Sequence, residues 1–198
     1  MRTIRLFALA LVIIACAPNA SPSSNPPPTP SPSPSAAGSL TAPPSNAQGV
    51  VVDPSLLDVL PPEVDGLPIT ESPEAEADGL ADPELGEVAE AIAAGIAIDP
   101  ATNDFLYAAV IRLKPAVMGD ERFRDWRDSF DEGACSQAGG VVGHAQAVID
   151  DRTVYIGTCA GGVRTYHVWL TEPNLIVSAS AVGEQRRLGE RLVEDLRP

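Results

Sequence analysis

Apolar positions in the C-terminal 115 residues fall into two periods. Asp82-Pro83-Glu84 supplies an N-cap, a proline at the first helical position and an acid in the first turn. Leu85, Val88, Ala89, Ile92 and Ile96 follow at three- and four-residue spacing. This pattern predicts a helix over about 83–95, ended near Gly95. Residues 104–113 form an apolar run with aromatic and β-branched members, which reads as a strand buried on both faces and ended by Pro115. A second helix starts at Gly119 or Asp120. Phe123, Trp126 and Phe130 make its one apolar stripe, while Arg122, Arg124, Asp125, Arg127 and Asp128 cover the polar sides. Such spacing is what a half-buried helix needs, so the stripe reads as core packing in preference to a ligand surface.

Four strand signals follow at 142–149, 153–159, 163–170 and 175–182, joined by Asp150-Asp151-Arg152, Ala160-Gly161-Gly162 and Thr171-Glu172-Pro173-Asn174. Short connections force antiparallel neighbours, so these strands form a meander. A last helix runs from about Gly183 to Leu196, with Leu188, Leu192 and Leu196 on one side. The order α-β-α-β-β-β-β-α defines an α+β domain over 83–198: a four- to five-stranded, mainly antiparallel sheet packed by about three helices.

The chain before this domain has no such pattern. Residues 17–48 hold ten prolines and eight serines and no charge. That composition favours polyproline II and builds no core, so it reads as a spacer, disordered on its own. From Asp53 to Ile111 there are fourteen acids and no base, and residues 49–82 read as an acidic, proline-rich arm, irregular and partly draped on the domain. Leu56 to Leu60 suggest one apolar turn in it, and Val64 to Ile69 an extended piece. Asp99, Asn103 and Asp104 lack the alternating oxygen spacing and glycine turn of a calcium loop.

At the N-terminus, Arg2 and Arg5 precede nine apolar residues, Leu6 to Ile14. Nine residues are too few to span a bilayer core, which takes about 20. The pattern is that of an export signal, residues 1–15. Its end, Ile13-Ile14-Ala15-Cys16, resembles the lipobox of bacterial lipoproteins, with isoleucine where leucine is commonest. The resemblance covers the first sixteen residues. It implies cleavage between Ala15 and Cys16, a diacylglycerol thioether and acylation on Cys16, and a domain held at the cell membrane, facing the extracytoplasmic side, on the lipidated tether 16–48. Two or more acyl chains anchor stably where one does not.

With Cys16 lipidated, Cys135 and Cys159 remain, and an oxidising compartment favours a bridge between them over two separate buried thiols. The formal charge of −14 argues against nucleic acid or an anionic membrane surface as partner.

Candidate chemistry is thin. His144 and His167 are the two histidines, and a zinc site needs a third protein ligand that no motif supplies; the plainer reading places both on an open sheet face. There is no Gly-x-Ser-x-Gly, and a bridged Cys135 cannot serve as nucleophile beside His144. The glycines of 139–143 precede a strand instead of joining strand to helix, against a phosphate loop. Ala138-Gly139-Gly140-Val141 recurs as Ala160-Gly161-Gly162-Val163, each copy just after a cysteine. A Cys135–Cys159 bond would bring Gly139, Gly140, Gly161 and Gly162 to one end of the sheet. There they are either two similar turns or, with His144 and His167, a backbone-rich ligand patch. The sequence therefore points to a non-catalytic binding or interaction domain, with no cofactor or metal, taking a small ligand or an envelope protein. The alternatives are a cell-envelope enzyme with dispersed catalytic residues and a structural subunit of an envelope complex.

Overall fold

The apolar stretches 89–98 and 105–113 lie side by side in the middle of one sheet. The computed structural model describes residues 49–183 and 185–198; the export signal, Cys16 and the tether lie outside the described residues. In chain order the elements are β1 (Val51–Val52), a 3-10 turn (Pro54–Val59), β2 (Glu63–Val64), β3 (Leu67–Pro68), β4 (Thr70–Glu71), α1 (Pro73–Ala81), α2 (Leu85–Val88), β5 (Ala89–Ile98), β6 (Phe105–Leu113), α3 (Asp120–Cys135), β7 (Val141–Ile149), β8 (Arg152–Cys159), β9 (Arg164–Leu170), β10 (Leu175–Val182) and α4 (Leu188–Glu194). Eight strands form the main sheet, in the order β1-β5-β6-β10-β9-β8-β7, with β4 also against β5; β2 and β3 make a separate hairpin. Only the β1–β5 pair is parallel. The protein is thus α+β, with a large, mainly antiparallel sheet.

Both faces of the sheet are covered. On one face the 3-10 turn, β2 and α4 bring Leu56, Leu60, Val64, Leu188 and Leu192 onto alternate residues of the central strands, among them Leu106, Val110, Val168 and Val177. On the other, α2 and α3 bring Leu85, Val88 and Phe123 onto Ile92, Ile111 and Ile176. Leu60, Leu188 and Leu192 are each 1% exposed or less, and burying such a side chain is worth about 1.5–3 kcal/mol.

The meander β7–β10 and the helix α3 stand where the sequence pattern places them. Three expectations are corrected. The helix expected over 83–95 is only the single turn α2, and from Ala89 the chain is strand β5. Its apolar residues fit a helical period, but Ala93 and Ala94 are both fully buried, one on each side of the sheet. A strand buried on both faces reads as a continuous apolar run, which periodicity alone does not separate from a buried helix. The preference of alanine for helix yields to pairing with β6 along nearly all its length and with β1 and β4 on its other side. The sheet therefore has eight strands, beyond the four or five expected. Within 53–81 the apolar turn expected at Leu56–Leu60 is the 3-10 turn and the extended piece expected at Val64–Ile69 overlaps the β2–β3 hairpin, but the nine-residue α1 stands where irregular chain was expected. Asp53 caps the turn through a bond from the Ser55 N–H (3.2 Å), and Pro54 and Pro73 sit at helix starts, where proline is tolerated.

The last helix is shorter than expected, but Leu188, Leu192 and Leu196 do form its buried side. At the sheet's far edge, β7 pairs only with β8, and most of its residues are exposed.

Candidate functional site

Helix α3 lies across the sheet with two stripes facing inward. Phe123, Trp126 and Phe130 rest over the central strands, as their spacing predicts. Beside them runs a second stripe, Arg124, Arg127, Asp131 and Cys135, toward β8 and β7. Asp131 is 1% exposed. It meets two adjacent rungs of the sheet. One is Ser178–His167–Tyr155, across β10, β9 and β8. The next is Ser180–Thr165–Gly157–His144, reaching β7. Gly157 opens the gap into which the carboxylate descends: a Cβ there would overlap Thr165 Oγ1 and Asp131 Oδ2.

The polar groups form one chain of hydrogen bonds. Trp126 Nε1–H donates to Ser178 Oγ (3.0 Å). Ser178 Oγ lies 3.0 Å from His167 Nδ1, and His167 Nε2 lies 2.8 Å from Asp131 Oδ1. Thr165 Oγ1 donates to the same carboxylate and accepts the Gly157 N–H (3.1 Å). His144 Nε2 lies 3.1 Å from Asp131 Oδ2. With Asp131 ionised, the carboxylate accepts from His167 Nε2–H and from the Thr165 hydroxyl, and the His167 Nδ1–Ser178 Oγ contact completes the chain. Burial pushes the Asp131 carboxyl up, but the bonds from His167 and Thr165 outweigh it and hold the group below the ordinary aspartate value.

Ser178, His167 and Asp131 have the connectivity of a serine hydrolase triad. Ser178 is fully buried, and its oxygen already accepts from Trp126. No substrate carbonyl can reach it, so the arrangement is structural. The accessible imidazole is His144, whose side chain is 55% exposed and is backed by the buried carboxylate.

His144 stands at the mouth of a cleft of about 250 Å³ lined also by Arg124, Arg127, Asp128 and Tyr155. The Arg127 guanidinium lies over the Tyr155 ring, 3.9 Å from its centroid, and 5.5 Å from that of Phe123. Arg112, Arg152, Arg164, Arg186 and Arg191 pair with carboxylates. Among the described residues, Arg124 and Arg127 form no ion pair, nor do Arg122, Arg187, Arg197 and Lys114, and Arg127 Nε is buried without an acceptor.

Cys135 and Cys159 are bonded, with Cα atoms 5.2 Å apart. The bond joins the end of α3 to the end of β8, and the glycine pairs gather beside it. Their main-chain groups bind one another: Ala160 N–H to Gly140 O (3.0 Å), Gly161 N–H to Ala138 O (2.6 Å) and Gly140 N–H to Cys135 O (2.9 Å). Gly139, Gly140 and Gly162 take positive φ, between 81° and 86°, as only glycine does readily. This is a clasp closing the sheet end, whose own groups occupy much of the backbone a ligand would use. His144 and His167 are brought together, but through Asp131; and His167, expected on an open sheet face, is buried beneath α3 because that helix covers this face. Sequence reasoning passed over Asp131. The signal lay in its position, one helical turn before a cysteine expected to bond to the sheet.

No protein-family model, curated protein or solved structure matches the chain.

Proposed function

We propose that the protein is a lipid-anchored extracytoplasmic lipoprotein whose domain binds a small oxyanion-bearing ligand, carboxylate or phosphate, in the cleft between α3 and the edge of the sheet, without transforming it. The single observation that carries the binding reading is Arg127, whose Nε is buried in the cleft wall without an acceptor among the described residues. A buried guanidinium N–H without an acceptor costs about 1–3 kcal/mol, which an anionic ligand would offset. His144 lines the same cleft. Anchoring is supported by the basic start, the short apolar segment and the lipobox-like Ile13–Cys16, and an exported location agrees with the Cys135–Cys159 bond.

Isothermal titration of the full chain with inorganic phosphate and with acetate tests the binding reading. Saturable heat is expected from at least one of them, with affinity lowered tenfold or more in Arg127→Ala. No heat from either anion, or an Arg127→Ala chain that binds like the parent, would exclude it.

A second reading, an envelope enzyme, draws on one observation: an exposed imidazole oriented by a buried carboxylate is the arrangement of a general base. Turnover of ester or phosphodiester substrates that is lost in His144→Gln, with anion affinity retained, would favour that reading over simple binding.

A further inference from the structure

We infer that two copies of the chain pair through β7, edge to edge and antiparallel, about a two-fold axis at Ala145. The two edges of the sheet differ. One ends in β1 and β4, of two residues each. The other is the nine-residue β7, Val-Val-Gly-His-Ala-Gln-Ala-Val-Ile, which carries no lysine, proline or acid of the kind that usually protects an edge. It holds Val142 and Val148, 65% and 71% exposed, two of the three large apolar side chains that stand exposed among the described residues.

The sequence of this strand is self-complementary. An axis at Ala145 sets Val141 against Ile149, Val142 against Val148, Gly143 against Ala147 and His144 against Gln146. An isologous interface demands this reciprocity. Backbone polarity agrees. Ile149 and Arg152 close a two-residue turn whose Asp150 and Asp151 both take positive φ (47° and 59°), the type I′ geometry in which the closing pair is hydrogen-bonded. Counting back by twos, the odd residues of β7 bond to β8, while His144, Gln146 and Val148 turn N–H and C=O outward. The axis at Ala145 matches even residues with even, so outward groups meet outward groups. The register irregularity of β7, at Val141–Gly143, leaves Gly143–Ile149 in unbroken register with β8.

Charge also agrees. The whole chain carries −14, so contact between copies favours an uncharged strip, which β7 is. The acids that follow it, Asp150 and Asp151, would face Gly140 and Gly139 of the second copy, not another acid. The even residues of β7 share the α3 side of the sheet with His144. Gln146 of the second copy would therefore stand beside His144, its Cβ about 4.5–5.5 Å away, and extend the cleft mouth. The pairing itself is independent of what the cleft binds.

Cysteine scanning of the full chain tests the register. Non-hydrogen-bonded antiparallel partners have Cα atoms about 4.5 Å apart, within disulfide range. Ala145→Cys should therefore oxidise to a covalent dimer. Ala147→Cys should give less than a tenth of that yield, because the two copies of position 147 lie four positions apart, about 13 Å along the strands. The parent chain, with the same Cys16, sets the background. Its polypeptide mass by light scattering should be twice that of the monomer, and Val148→Lys should weaken the dimer at least tenfold. A monomeric parent, no covalent dimer from Ala145→Cys, or equal yields at the two positions would overturn the proposal.

Discussion

Replacing Asp131 by alanine tests the account of the polar network. The substitution removes the acceptor for His167 Nε2, Thr165 Oγ1 and His144 Nε2. His167 and Thr165 are 1% and 0% exposed, so water does not replace the lost partner. Each buried donor left unsatisfied costs about 1–3 kcal/mol, or about 2–6 kcal/mol for the two. Releasing the carboxylate from its buried site returns part of that cost, and the net expectation is about 1–4 kcal/mol. A domain of this size is stable by about 5–15 kcal/mol, so the variant should fold but be markedly weakened. Urea unfolding should show a lower midpoint with an unchanged slope. His144→Ala should cost less than about 1 kcal/mol, since its imidazole is solvated. A loss below about 1 kcal/mol for Asp131→Ala, or a larger loss for His144→Ala than for His167→Ala, would refute the reasoning.

Gly157→Ala should cost about 1–3 kcal/mol in the same assay, because its methyl group drives into Thr165 and Asp131; a neutral effect would mean that the carboxylate has room to move. The Asp131 carboxyl sits below its ordinary value, so its contribution is complete above the unfolded aspartate pKa of about 3.9 and is lost as pH falls through the lower folded value. Urea midpoints measured from pH 5 to pH 2 should fall less steeply for Asp131→Asn than for the parent, and parallel slopes would count against the shift. Paired Cys135→Ser and Cys159→Ser substitutions open a loop spanning a sequence separation of 24 and should cost about 3–4 kcal/mol, read as a lower urea midpoint. Cys16→Ser should leave an uncut precursor or release the protein from the membrane fraction, and normal processing with membrane retention would dismiss lipidation.

What the sequence revealed follows from where each residue's constraint resides. The meander was legible because its strands are short, of β-branched and alternating composition, and separated by turns whose chemistry is local, such as Asp150-Asp151 and Gly161-Gly162. Helix α3 was legible because its aromatic stripe stands against a polar remainder. β5 was not, because Ala91, Ile92, Ala93 and Ala94 are buried whichever side they face, and no alternation survives when both faces are covered. In 53–81 the apolar turn and the extended piece were legible, but α1 and the extent of the packing were not. The segment's acids and prolines dominate the composition, while three residues, Leu56, Leu60 and Val64, carry its attachment to the core. Asp131 was hidden because an aspartate on an amphipathic helix ordinarily belongs to the solvent face. Only the partners from β7 and β9, distant in sequence, make its burial tolerable.

The two features that hold α3 to the sheet are arranged as a pair. Asp131 and Cys135 are four residues apart on the helix, and thus on one side of it. Gly157 and Cys159, which receive them, are two residues apart on β8, and so also on one side. A carboxylate that fits only at the glycine and a disulfide that forms only at Cys159 admit a single register of helix on strand. A slip of one residue along β8 would present the opposite face of the sheet; a slip of two would set the carboxylate against Tyr155 or Cys159. Either constraint alone leaves the helix a pivot, and together they fix its direction. The preceding turns of the same stripe carry Arg127 and Arg124, which therefore project over β8 and toward β7 from a rigid base. The buried polar network adds little stability beyond what an apolar contact would supply. Its effect is positional, in that it seats α3 on β8 and β9 and orients His144 through the Asp131 carboxylate.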